Sequence, residues 1–234
     1  MDRLIRRTVA IFALFTVELI FILGMFLACV CVFLLLGHQI LAGTDLKFDS
    51  RAFAWADSLG SDAFTRFMVV ITFFASRNFI SAVSLILIFY FLFVRRHKWY
   101  SLKVPVIALG SISLNLILKY FFNRQRPEID HLVESSGLSF PSGHAMISAS
   151  FYSLLLYLIW NRVKNPVWRI VLLIIIGALI LLIGFSRIYL HVHYATDVLA
   201  GFAAGFIWVI LAIFFLNKFE RYSGRKLRKT VEQA

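Results

Sequence analysis

The stretch VWRIVLLIIIGALILLIGF, Val167 to Phe185, decides the fold. From Ile170 onward it offers no charge and no hydrogen-bonding side chain. Coiled as a helix at about 1.5 Å per residue, it matches the roughly 30 Å of hydrocarbon in a bilayer. Its apolar character is continuous rather than alternating, so it reads as a helix that satisfies its own backbone and not as a barrel strand.

Working outward, the same reading applies to Val9–Leu36, Asn78–Val94, Val104–Phe122, Gly143–Trp160 and Val198–Leu216. The expected fold is all-α, an integral membrane bundle of six transmembrane helices. Between the first two spans, Asp45–Arg77 mixes charges with apolar pairs, and AFTRFMVVITFFAS reads as a helix with one polar edge, expected to lie at the membrane interface. There is no internal repeat and no sign of a second domain. Residues 1–234 therefore read as one membrane-embedded domain, with a motif-bearing core at about 100–217 and a short basic tail at 218–234. Composition agrees: 61% of residues are hydrophobic and only 15% charged, against about 25% charged in soluble domains.

A net charge of +12 could indicate a nucleic-acid partner, but the placement of the charge gives it another meaning. Arg3, Arg6 and Arg7 precede the first span, and Arg95, Arg96, Lys98 and Lys103 lie between the second and third. Arg162, Lys164 and Arg169 separate the fourth from the fifth, and Lys218, Arg221, Arg225, Lys226, Arg228 and Lys229 follow the sixth. With six alternating helices these groups share one side, accompanied there only by the acids Asp2, Glu220 and Glu232. By the positive-inside rule that side is cytoplasmic, so both termini are expected inside and no nucleic-acid partner is expected. Segments at about 37–77, 123–142 and 186–197 then face the exterior or periplasm.

Cys29 and Cys31 lie mid-span, two residues apart, and point in different directions on a helix; they read as packing residues. The first apolar run is longer than the usual core of a cleaved signal peptide, so it reads as a retained anchor. Glu18 lies within that run and is expected to face protein or a polar cavity.

Polar residues concentrate at the outer ends of the spans in three places: KYFFNRQRP (Lys119–Pro127), PSGH (Pro141–His144) and SRIYLHVHYATD (Ser186–Asp197). Lys119 and Arg126 are two helical turns apart, roughly 10 Å, close enough for both to reach one anion. Two cations snorkelling to headgroups would give the same pattern. Ser142 and Gly143 open a helix whose free N–H groups suit phosphate oxygens, and His144 follows in its first turn. A plain capped helix start would also carry these residues. Arg187 can clasp a phosphate, and His193 and Asp197 stand at i and i+4, where a carboxylate can fix the imidazole tautomer and leave one nitrogen free to attack. His191 has no acid four residues on. His38, His97 and His131 also lack supporting partners and read as interfacial or solvated.

Lys119 with six residues before Arg126-Pro127, then Pro141-Ser142-Gly143-His144, then Ser186-Arg187 with five residues before His193 and three before Asp197, resembles the three-part signature of the type 2 phosphatidic acid phosphatase superfamily. Only His191 and Ala195 depart from its pattern, standing where Gly and Pro are expected. The resemblance implies a membrane lipid-phosphate phosphatase working through a phosphohistidine. It implies His193 as nucleophile, Asp197 as its brace and His144 as acid and then base. Lys119, Arg126, Ser142, Gly143 and Arg187 would hold the phosphate. It further implies a lipid phosphate as partner, no cofactor and no metal; no metal-ligand spacing competes. Alternatives are a lipid phosphotransferase, a soluble haloperoxidase with the same pocket, disfavoured by six spans, and a membrane transporter. Candidate substrates are undecaprenyl diphosphate, phosphatidylglycerophosphate, phosphatidic acid and diacylglycerol pyrophosphate, in a bacterial inner membrane. The sequence leaves the oligomeric state open.

Overall fold

The computed structural model describes the backbone of residues 2–43 and 47–232, and side chains at 19–43 and 47–224. Asp45, and the side chains of Arg3, Arg6, Arg7, Glu18 and the tail from Arg225 onward, lie outside the described residues. The helices are α1 (Asp2–Leu41), α2 (Lys47–Asp57), α3 (Asp62–Phe73), α4 (Arg77–Phe89), α5 (Lys98–Phe122), α6 (Gly143–Ile147), α7 (Ser153–Arg162), α8 (Pro166–Tyr189) and α9 (Ala195–Glu232). Wider π turns at Tyr90–Val94 and Ser148–Tyr152 extend α4 and join α6 to α7. Six helices are long and apolar enough to cross a membrane: Leu19–Leu41, Arg77–Val94, Lys98–Phe122, Gly143–Arg162, Pro166–Tyr189 and Ala195–Gly224. The segment between the first two spans holds two helices, α2 and α3, where one was expected. Ser61 starts the second of them by accepting a hydrogen bond from the Phe64 amide (3.3 Å).

Local signals set the boundaries. Asn165 caps α8 by accepting from the Val167 and Trp168 amides (2.9 and 3.2 Å), and Pro166 follows where a helix needs no donor. Asn123 takes the left-handed conformation (φ 47°) that ends α5.

Helix α9 is central, packing on α1, α5 and the α6 segment. Two glycines allow this approach. A Cβ on Gly201 would lie 2.6 Å from the Ser142 carbonyl oxygen, and one on Gly205 would lie 2.5 Å from that of Met146. The fit of α9 against α6 is backbone to backbone, so it also fixes where the PSGH segment sits. Gly205→Val is expected to cost about 1–3 kcal/mol by overpacking. Thermal unfolding in detergent should show this as a midpoint several degrees lower; an unchanged midpoint would contradict the close packing.

The end of the bundle holding the basic connections has its own ionic contacts. Lys103 is buried, 3.4 Å from Glu220 and over the Tyr100 and Tyr157 rings. Arg162 stacks on Tyr100, and Arg169 on Trp160. The motif segments occupy the other end.

Candidate active site

Four helix ends meet there: the last turn of α5, the first of α6, the last of α8 and the first of α9. Backbone bonds tie them together. The Ser142 amide donates to the Asp197 carbonyl (3.0 Å), Ser139 to Arg124 (2.8 Å) and Leu132 to Leu190 (3.2 Å). The Asn115 side chain donates to the Pro141 carbonyl (3.2 Å). A Cβ on Gly143 would come within 3.1 Å of Asn115 Oδ1, so the smallest residue permits this seat. The Lys119 ammonium donates to the Leu138 and Ser139 carbonyls and so grips the loop that leads into PSGH.

Asp197 and His193 come together as expected, but not on one helical face. Helix α9 starts only at Ala195, so His193 precedes it. Asp197, in its first turn, accepts from the Tyr194 amide (3.0 Å), the reciprocal half of a capping box. His193 Nδ1 lies 3.5 Å from Asp197 Oδ2 and 3.3 Å from Ser139 Oγ. The Ser139 hydroxyl itself donates to Asp197 Oδ2, so its lone pairs are left to accept from Nδ1–H. That places the proton on Nδ1 and the lone pair on Nε2, which faces Arg126 Nη1 at 3.5 Å. Burial pushes the imidazole from the ordinary 6.5 down to about 3, against the opposing pull of Asp197. A neutral ring with one nitrogen braced and the other free is the form a nucleophile needs.

Arg126 sits on the loop after α5, not two helical turns above Lys119, because α5 stops at Phe122. Its fork is fixed by the carbonyls of Gly137 (2.9 Å), Ser136 (3.0 Å) and Val192 (2.5 Å). Arg187, in the last turn of α8, is buried; its Nη1 donates to Thr72 Oγ1 (2.7 Å). Ser142 stands at the helix start, yet its hydroxyl makes no capping bond. Arg187 Nε and Ser142 Oγ are buried with no hydrogen-bond partner among the described residues. Buried polar atoms without partners call for a specific explanation. His144 is half-buried in the first turn of α6. Among the described residues no group of three or more His, Cys, Asp or Glu is placed to hold a metal ion.

The family profile described as PAP2 superfamily matches residues 100–221, which contain all three motifs. The chain belongs to the PAP2 superfamily. Among characterised members, phosphatidylglycerophosphatase B of Bacillus subtilis (strain 168) is 35% identical over 56% of the chain, and the match spans 65% of that protein's length. An undecaprenyl-diphosphatase of Sulfolobus acidocaldarius is 31% identical over 54% of the chain and 57% of its own length. The crystal structure of a transmembrane PAP2-type phosphatidylglycerolphosphate phosphatase from Bacillus subtilis superposes with a TM-score of 0.72. It covers 81% of this chain and 96% of its own, at 28% identity.

Three residues of this PAP2 site escape a reading of the motifs. Arg124 bonds Asp197 (2.6 Å), Ser139 bridges Asp197 and His193, and Asp49 reaches in from α2 to bond Arg124 (3.0 Å). Arg124 and Ser139 lie within or next to the motifs and could have been weighed; nothing in the sequence ties Asp49 to them. His191, where the signature has Gly, has φ +60°, the left-handed conformation glycine adopts freely. Its ring is held at both nitrogens, by Asp57 (2.7 Å) and the Asp130 carbonyl (3.0 Å), and points away from the site. His131 bonds Pro127 and Ser135, and His97 caps α5, both outside the site.

Proposed function

We propose that this PAP2 protein is a lipid-phosphate phosphatase that works through a phosphohistidine, and the observation that carries the reading is the polarity of the His193 ring. Nδ1 is held by Asp197 and Ser139, while Nε2 faces a fixed guanidinium. Nε2 attacks phosphorus and forms the N–P bond as the bond to the leaving oxygen breaks; His144 gives that oxygen its proton. His144 then takes a proton from water, the water oxygen bonds to phosphorus, and the N–P bond breaks to release phosphate. Asp197 stabilises the charge on the imidazole. Lys119, Arg126, Arg187, Ser142 Oγ and the backbone at Gly143 hold the equatorial oxygens, with the cations doing the neutralising that a metal performs elsewhere.

A lipid is supported by the apolar setting. A groove of about 450 Å³ between α2, α8 and α9 is lined by Phe48, Trp55, Phe185, Val198 and Phe202, and it includes Ala195, two residues from His193. The relatives' names point to phosphatidylglycerophosphate and undecaprenyl diphosphate as the first substrates to try. The concentration of basic residues at the opposite end of the bundle supports termini in the cytoplasm and a site on the exterior or periplasmic face of the cytoplasmic membrane.

The purified protein should release phosphate from these lipids, phosphatidic acid and diacylglycerol pyrophosphate in excess chelator, and orthovanadate should inhibit it. Loss of activity on chelation would overturn the metal-free chemistry. Transfer of label to an added acceptor lipid in place of phosphate release would make the protein a phosphotransferase.

A further inference from the structure

Asp197 has two oxygens, and the reaction as drawn uses one of them. Oδ2 receives Ser139 and Tyr194 and faces His193. Oδ1 receives Arg124 Nη1 at 2.6 Å. The same nitrogen reaches Thr196 Oγ1 (2.8 Å), and the guanidinium lies over the Tyr194 ring, 3.9 Å from its centre. Arg124 Nη2 donates to Asp49 Oδ2 (3.0 Å). Asp49, buried, also accepts from the Thr196 amide (2.9 Å) and hydroxyl (2.8 Å). A carboxylate from α2, outside the segment matched by the family profile, thus completes the first turn of α9 and pairs with the cation that holds the catalytic carboxylate.

The charges explain why both are needed. Arg124 alone would fix Asp197 in place but cancel its negative charge, removing the field that stabilises an imidazole turning cationic as Nε2 bonds to phosphorus. With Asp49 present, the Asp49–Arg124–Asp197 row keeps one net negative charge and a fixed geometry. We infer that Arg124 and Asp49 are positioning residues of the phosphoryl transfer: Arg124 aims Asp197 at His193, and Asp49 preserves the negative charge that Arg124 would otherwise neutralise. The inference rests on the reading of His193 as nucleophile. Other charged or titratable groups close to His193 and Asp197 include Arg126 from the loop, Arg187 from α8, Lys119 from α5 and His144 from α6. Among the described residues none of these four hydrogen-bonds Asp49 or Asp197 Oδ1.

The test compares Asp49→Asn, Arg124→Gln, Arg124→Lys and the double variant Asp49→Asn/Arg124→Gln with the unaltered protein, using dioctanoyl phosphatidic acid in detergent. Asp49→Asn should lower kcat on the order of 30-fold with KM within about threefold, as expected when only the transition state loses support. The double variant, which restores the net charge, should exceed Asp49→Asn in kcat, and Arg124→Lys should exceed Arg124→Gln. The acid limb of phosphoenzyme formation should move down in Asp49→Asn, which loses a negative charge, and up in Arg124→Gln, which loses a positive one. Opposite shifts are not produced by a general loosening of the fold. The inference is overturned if Asp49→Asn keeps kcat within twofold, or if the limbs do not separate. A double variant no better in kcat than Asp49→Asn overturns it too, and if Asp49→Asn fails to fold, Arg124→Lys no better than Arg124→Gln overturns it instead. His193→Ala run alongside separates the two levels: activity there sinks the nucleophile itself, whereas a dead His193→Ala with unaffected Arg124 and Asp49 variants sinks only this inference.

Discussion

His193→Ala is expected to lower phosphate release by roughly 10³-fold or more, the loss typical of removing a covalent nucleophile. His191→Ala should stay within several-fold of the unaltered protein. The two histidines are neighbours in sequence, yet one is buried against Asp197 and Ser139 while the other is bound to Asp57 and the Asp130 carbonyl on the far side of the turn. An active His193→Ala beside a dead His191→Ala would reverse the assignment. The pH response follows from the same burial. An imidazole at about 3 in the free protein is neutral throughout the range above pH 4, so its protonation should not slow phosphoenzyme formation between pH 7 and 5. An ordinary imidazole, at 6.5, would already be mostly protonated at pH 5. Phosphoenzyme formation measured by rapid quench decides between them, and a limb near 6.5 that disappears in His193→Ala would show that the ring is not shielded as described.

The second large effect is expected at Arg187. Its Nη1 is engaged by Thr72, while Nε, equally buried, has no partner among the described residues. If the transferring phosphoryl group supplies that partner, Arg187→Gln should reduce kcat/KM by about 10²–10³-fold, the scale of losing one preorganised donor to a developing anion. Arg187→Lys should fall between, because it keeps the charge and loses the planar fork. Thermal stability should change little or rise, since a buried cation with an unpaired nitrogen is replaced by a neutral group. Near-normal activity in Arg187→Gln would place the phosphate elsewhere.

The sequence by itself determined the six spans and carried the signature residues. An apolar run of bilayer length must satisfy its own backbone wherever it lies, so Val167–Phe185 announces a helix without reference to any neighbour. The signature residues are equally local: PSGH opens a helix, and Arg187, His193 and Asp197 share one short segment.

Only the tertiary structure decided which atoms bond. The approach of His193 to Asp197 depends on α9 starting two residues late and on Ser139 arriving from another loop. Arg126 reaches the site because α5 ends at Asn123, and Arg187 is placed by Thr72 of α3. Asp49 owes its role to the folding of α2 over the start of α9, far from the motifs along the chain. Burial per residue and backbone self-satisfaction follow from the run of side chains alone. Hydrogen bonds between segments depend on distances that exist only after the helices pack, and in this protein glycines 201 and 205 set one of those distances by letting α9 meet α6 backbone to backbone.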